Sequence, residues 1–381
     1  MLQTCLSAIM AIFLSVGAID KAFFHSRYGY GKAFDEGLNT MGPLTLLMVG
    51  IMCVAPPLGE ALLSTLAPLF DTWGADPALI AGLFFPVDAG GLALAKSLAQ
   101  SQTSLLMFGI GLCSTLACIV TLPLPFSLAI VSPEARPLVA KGIVAGVIAS
   151  PFGMLVIWIV ALIAEPNTLG FFPVLRLAAP ALVLALLLAV ALTVAQRLTI
   201  RFFLWLGDAM MALYTVLLML VALSHFFSIN LIPGIAPIAP QLSIVGEISL
   251  MLAGAYPLVH FVKTHGQRGL KRLGARLNTD SLAALGMVVS LANPLPMYSM
   301  LEKMSARGKV LASAFAGPAL CTFGDHAAFM SAYYPEGLPY LLVGKLGAAL
   351  LALGLAMLLE IVHPSTEPRV GKSEEDASVR V

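Results

Sequence analysis

Leu291-Ala292-Asn293-Pro294-Leu295-Pro296 sits in the middle of an apolar run over 279–300. Proline lacks the N–H that a helix needs, and lipid offers nothing to the carbonyls it leaves free. Such a break is stable only where it is buried in protein or lines a cavity. Lys263, Arg268, Lys271, Arg272 and Arg276 precede the run, and Lys303, Arg307 and Lys309 follow it. Basic loops stay cytoplasmic. Both flanks are therefore predicted inside, so the run enters and leaves the membrane on one side. A second apolar stretch, 77–99, is broken at Phe84-Phe85-Pro86-Val87-Asp88-Ala89-Gly90-Gly91.

Composition fixes the class around these breaks. The chain has 381 residues, 59% hydrophobic and 11% charged, against roughly 25% charged in soluble domains. Mean hydropathy is +0.94. A soluble enzyme is excluded. The net charge of +1 comes from scattered Lys and Arg, so no nucleic-acid footprint exists. The five cysteines lie in apolar segments without zinc or disulfide spacing.

Unbroken apolar runs predict spanning helices near 2–19, 41–55, 105–122, 138–163, 174–195, 203–225, 243–262, 309–328 and 339–361. Segments 20–40, 123–137 and 196–202 carry basic residues and fall inside. Segments 56–76, 164–173, 226–242 and 329–338 contain no Lys or Arg and fall outside. For 56–76 to lie outside, 77–99 must also turn back, now from the outer face. The expected fold is an all-α polytopic membrane protein of about nine spans plus two re-entrant broken helices, with the N-terminus out and the C-terminus in. Eleven full crossings is the alternative, and it would put the basic 302–309 loop outside.

A gapless shift of 204 residues lays Gly42 on Gly246, Thr45 on Ser249, Gly50 on Gly254, Asp76 on Asp280 and Gly82 on Gly286. The charge-derived topology inverts one copy relative to the other. Inverted repeats whose broken helices meet near the midplane are a recurring transporter architecture. The chain then divides into an N-terminal helix and inner loop (1–33), a first repeat (34–163), connecting helices (164–242), a second repeat (243–362) and a charged tail (363–381) expected to be disordered. Segments 58–70 and 266–277, ahead of the two broken stretches, are expected along the surface.

An ionised group deep in a bilayer is costly and needs a reason. Asp88 either caps the half-helix opening at Ala89 or faces a cationic substrate. Asn293, ahead of Pro294, is either a helix cap or a ligand for a hydroxyl. Asp325 and His326 are either outer-interface residues or a carboxylate–imidazole pair for an amine or a proton. Glu247 either caps near the outer surface or lines the pathway, and Tyr256 offers a ring face to a cation. Lys96 is expected to snorkel to the outer interface, and Glu36 and Glu302 to form solvated pairs with the inner basic loops. No catalytic residue, metal site or cofactor motif is expected.

Several motifs carry a resemblance. Phe34-Asp35-Glu36-Gly37, Gly74-Ala75-Asp76-Pro77, Asp88-Ala89-Gly90-Gly91, Gly254-Ala255-Tyr256-Pro257, Ser290-Leu291-Ala292-Asn293, Arg307-Gly308-Lys309-Val310 and Gly324-Asp325-His326 occur in this order. The chain, from about 34 to 360, resembles the ethanolamine-utilisation transporter (EutH) family. The resemblance implies a bacterial inner-membrane permease for ethanolamine, serving its catabolism. The family pattern resembles two successive asparagines at the second break, whereas this chain has Asn293-Pro294. The substrate would be taken up as its ammonium form, with Asp88 and then Asp325 neutralising it. Asn293 or His326 would bond the hydroxyl. A channel-like facilitator for small amines or alcohols, and a carrier of another metabolite, are the alternatives. Small-residue faces at Gly344, Gly347 and Gly354 permit close packing, within the chain or in a homo-oligomer.

Overall fold

The computed structural model describes residues 2–164, 169–229 and 231–365, and every regular element among them is a helix. Among the described residues eight helices are long and apolar enough to cross a membrane. They are Gln3–Phe24, Tyr30–Leu66, Gln102–Ile130, Arg136–Ala164, Phe171–Val194, Gln196–Phe227, Ile238–His265 and Pro335–Val362. Phe172, Val194, Trp205 and Phe226 stand exposed on the Phe171–Val194 and Gln196–Phe227 helices. In water such a surface would be untenable, and in a bilayer it faces acyl chains. The chain is a multi-pass membrane protein. From residue 366 on, the predicted tail lies outside the described residues.

Several expected segments differ in the structure. The span at 41–55 and the surface segment at 58–70 are one helix, Met41–Trp73, which runs through Pro56, Pro57 and Pro68. Pro57 has no N–H for the carbonyl of Cys53, four residues back. Ala236 N–H supplies it instead at 2.9 Å, so the helix continues past the end of the expected span. The eighth expected span, 309–328, is two helices, Ala306–Ala319 and Asp325–Tyr333. Cys321 between them takes a positive φ of 56°, which breaks the ladder.

Each broken stretch closes on itself through an aspartate. Asp76 accepts Ala78 N–H at 2.8 Å and Gln100 N–H at 3.1 Å. Asp280 accepts Ala283 N–H at 2.8 Å and Ser305 N–H at 3.0 Å. The first stretch, with helices Leu79–Phe84 and Leu92–Leu98, therefore ends beside its beginning. So does the second, with helices Ser281–Ser290 and Leu295–Met300. Both are helical hairpins.

The Arg136–Ala164 helix packs along Leu338–Val362 and Ala306–Ala319. Gly344 meets Ile157 and Gly153 there, and Gly347 meets Val156. Those two glycines serve packing within the chain, while Gly354 faces open space.

Candidate functional site

The site arises where helices break. In the first hairpin Phe85 is extended, and Pro86 cannot donate. The backbone then makes a wide turn in which Gly91 N–H reaches Pro86 O at 2.9 Å. Gly90 takes a φ of +88°, and a Cβ there would collide with Ile51. Only glycine meets both conditions without strain. This turn carries Asp88, whose side chain is 13% exposed. Tyr214 Oη–H reaches the carbonyl of Ala89 at 3.4 Å.

The second hairpin is bonded to the break beyond it. Pro294 leaves the carbonyl of Ser290 without a helical donor, and Cys321 N–H fills the position at 2.9 Å. Asn293 Oδ1 takes Leu295 N–H at 3.0 Å, which frees the carbonyl of Leu291 for Phe323 N–H at 2.7 Å. Asn293 thus turns its amide oxygen to the first residue of the Leu295–Met300 helix. Gly324 lies so close to the carbonyl of Ala292 that a Cβ would overlap it. The chain then turns into the Asp325–Tyr333 helix, whose first turn carries Asp325 and His326.

These two breaks bring Asp88, Asp325 and His326 together. One ligand atom from each lies within 4.8 Å of the others. His326 Nε2 is 3.5 Å from Asp88 Oδ1 and 3.7 Å from Cys118 Sγ. Its Nδ1 is buried and has no hydrogen-bond partner among the described residues. Asp325 lies close to the Cys321 thiol. His326 is 2% exposed, so the outer-interface reading of that residue does not hold. Two carboxylates and an imidazole at this spacing could ligate a metal ion, and the same set suits an ammonium group.

Lys345 completes the cluster. It is fully buried in the Leu338–Val362 helix and donates to the carbonyl of Ser114 at 2.5 Å. Asp88, Asp325, Cys118 and Cys321 all lie within its electrostatic reach. Sequence reasoning passed over this residue. Its signal was there, a charge in the middle of an apolar span, but the length of the run at 339–361 hid it.

Asn293 and Tyr256 form a second pair. Asn293 Nδ2–H donates to Tyr256 Oη at 3.1 Å, and both line a cavity of about 280 Å³ with Lys32, Glu36, His260 and Lys263. Tyr256 also lies within electrostatic reach of Asp325. Glu36 faces the cavity. Glu302 is held below its ordinary pKa by hydrogen bonds from Ser132, Oγ–H at 2.7 Å and N–H at 3.2 Å. Among the described residues neither glutamate has a basic partner within salt-bridge distance, although Lys309 lies within electrostatic reach of Glu302. Glu247 is exposed on the Ile238–His265 helix, outside both groups. Lys96 is exposed too, its ammonium 4.3 Å and 4.4 Å from the ring centres of Tyr333 and Tyr334.

Polar groups gathered at helix breaks inside a membrane protein mark a substrate or ion path, and the sequence comparisons agree with that class. A family described as "Ethanolamine utilisation protein, EutH" matches residues 2–359. The chain belongs to the EutH family. It is 35% identical to the probable ethanolamine permease EutH of Listeria monocytogenes, over 92% of each chain. It is 32% identical to the probable ethanolamine permeases EutH of Salmonella typhimurium and Escherichia coli, over 97% of each chain. No solved structure matches the chain.

Proposed function

We propose that this EutH-family protein is an ethanolamine permease of the bacterial inner membrane. The observation that carries the reading is the meeting of Asp88, Asp325 and His326 at two helix breaks. Ethanolamine is an aliphatic amine and, like Lys, is mostly protonated at neutral pH. Its ammonium form crosses lipid poorly, which gives a carrier its purpose. Asp88 and Asp325 neutralise the ammonium, and the unpartnered Nδ1 of His326 bonds the hydroxyl. The names of the relatives support the substrate and favour a transporter over an enzyme.

The architecture in this reading is a pair of inverted repeats, 34–163 and 243–362, joined by 164–242. Their hairpins re-enter from opposite faces. Asp76 and Asp280, which hold the two hairpins closed in the same way, support that pairing. The basic residues at the cavity mouth support a cytoplasmic opening, with the C-terminus inside and the N-terminus outside. Substrate released from the buried cluster passes Tyr256 and Asn293 into that cavity. One repeat moves against the other to alternate access.

Proteoliposome uptake of labelled ethanolamine with the Asp88→Asn variant tests the assignment. The natural chain shows saturable uptake and counterflow, and the variant loses both while remaining monodisperse. Unaltered saturable uptake in Asp88→Asn would remove Asp88 from the cation site.

A further inference from the structure

Lys345 is an ammonium inside the protein, 0% exposed. Burying a charge is costly unless it is paired and hydrogen-bonded. Its hydrogen bond to Ser114 O uses a neutral acceptor. That carbonyl is available because the stretch before the Leu116–Thr121 helix breaks at Thr115, with φ −121° and ψ −79°. The first bond of that helix is then Ile119 N–H to Thr115 O. The break therefore anchors the Lys345 ammonium beside the chain segment whose Cys118 thiol lies 3.7 Å from His326 Nε2, and Asp88 and Asp325 lie within its electrostatic reach.

We propose that Lys345 determines the charge of the substrate, cancelling one of the two carboxylate charges so that the site accepts a single positive charge and rejects diamines. The assignment rests on the ammonium site proposed above. With both carboxylates ionised and Lys345 protonated, the cluster lacks one positive charge. An aminoalcohol bearing one ammonium makes it neutral. A diammonium ion leaves it with an excess charge in a medium that screens poorly. His326 and the thiols of Cys118 and Cys321 are the other titratable groups within reach of Lys345.

The experiment is equilibrium binding of labelled ethanolamine to the purified full chain in detergent, competed by unlabelled ethanolamine or by 1,3-diaminopropane. In the natural chain the diamine competes weaker than ethanolamine by about tenfold or more. In Lys345→Met that ratio collapses or inverts, and in Lys345→Arg it persists. If Lys345→Met discriminates as the natural chain does, the assignment is overturned while the ammonium site stands. If the natural chain binds no ethanolamine, the site and the assignment fall together. Should Lys345→Met aggregate, Lys345→Gln, whose amide can still donate to the carbonyl of Ser114 without the charge, carries the test. Its preference for ethanolamine over the diamine is expected to collapse or invert, and a preference like that of the natural chain overturns the assignment.

Discussion

Asp88 Oδ1 and His326 Nε2 face each other across 3.5 Å, each delivered by a break in a different helical stretch. Asp88 lies in the turn at the first break, and His326 lies in the first turn of the helix that begins beyond the second. The breaks expose backbone polar groups as well, and the neighbouring chain satisfies them: Cys321 and Phe323 N–H meet the carbonyls of Ser290 and Leu291. A cluster built this way is polar, rigid and shielded from lipid.

His326→Ala should narrow the preference for ethanolamine over ethylamine, which lacks the hydroxyl. The imidazole Nδ1 has no partner among the described residues, and one hydrogen bond to a neutral group contributes about 0.5–1.5 kcal/mol. Competition of labelled uptake by ethylamine, in the natural chain and the variant, measures it. An unchanged preference would move the hydroxyl contact to Asn293.

Asp280 holds the second hairpin closed and caps the Ser281–Ser290 helix. Burial pushes its carboxyl up, but hydrogen bonds from Ser305 Oγ–H at 2.6 Å and from the Ala283 and Ser305 N–H groups outweigh this and hold it below its ordinary pKa. A depressed folded pKa stabilises the fold fully above the unfolded value, about pH 4. That contribution disappears as pH falls through the lower folded value. Asp280→Ala should cost about 0.5–2 kcal/mol at neutral pH, the range for a lost cap. Thermal unfolding in detergent should show the gap between variant and natural chain closing only in acid.

Gly90→Ala should lower the thermal midpoint. A side chain at φ +88° enters a region that costs roughly 1–2 kcal/mol, and the new Cβ also pushes on Ile51. Because the turn carries Asp88, uptake should fall further than stability alone would explain. Uptake normalised to folded protein separates the two effects.

Cysteines placed at the hairpin bases report the topology. Gln100 and Lys303 are exposed, and Cys5 is the exposed natural thiol to be replaced by Ser first. A membrane-impermeant maleimide applied outside should label Gln100→Cys and leave Lys303→Cys unlabelled until the membrane is opened. Labelling of both from one face would contradict opposed re-entrant hairpins.

The sequence revealed the breaks and most of the cluster, because each element has a local cause. Proline and glycine mark 84–91 and 291–296, and a carboxylate or imidazole in an apolar setting marks Asp88, Asp325 and His326. The rest depends on contacts distant in sequence. The apolar run 41–55 reads as a span of its own, yet the helix runs on through Pro56 and Pro57, where Ala236 N–H satisfies the freed carbonyl of Cys53. The apolar run 309–328 reads as one span, yet it breaks where Cys321 and Phe323 pair with the second hairpin. Lys345 gains its place from the carbonyl of Ser114, and no local pattern announces that partner. Glu247 carried the same intramembrane signal as Asp88 but is exposed on its helix.

Uptake of labelled ethanolamine into proteoliposomes of the purified chain at acidic pH tests the central claim most directly. Under acid the neutral amine is scarce and unaided diffusion is negligible. The account predicts saturable uptake, competed by unlabelled ethanolamine and accelerated by ethanolamine loaded inside. Absence of uptake by correctly inserted protein, or uptake that rises without saturation and shows no acceleration, would contradict a carrier that binds the ammonium form at Asp88 and Asp325.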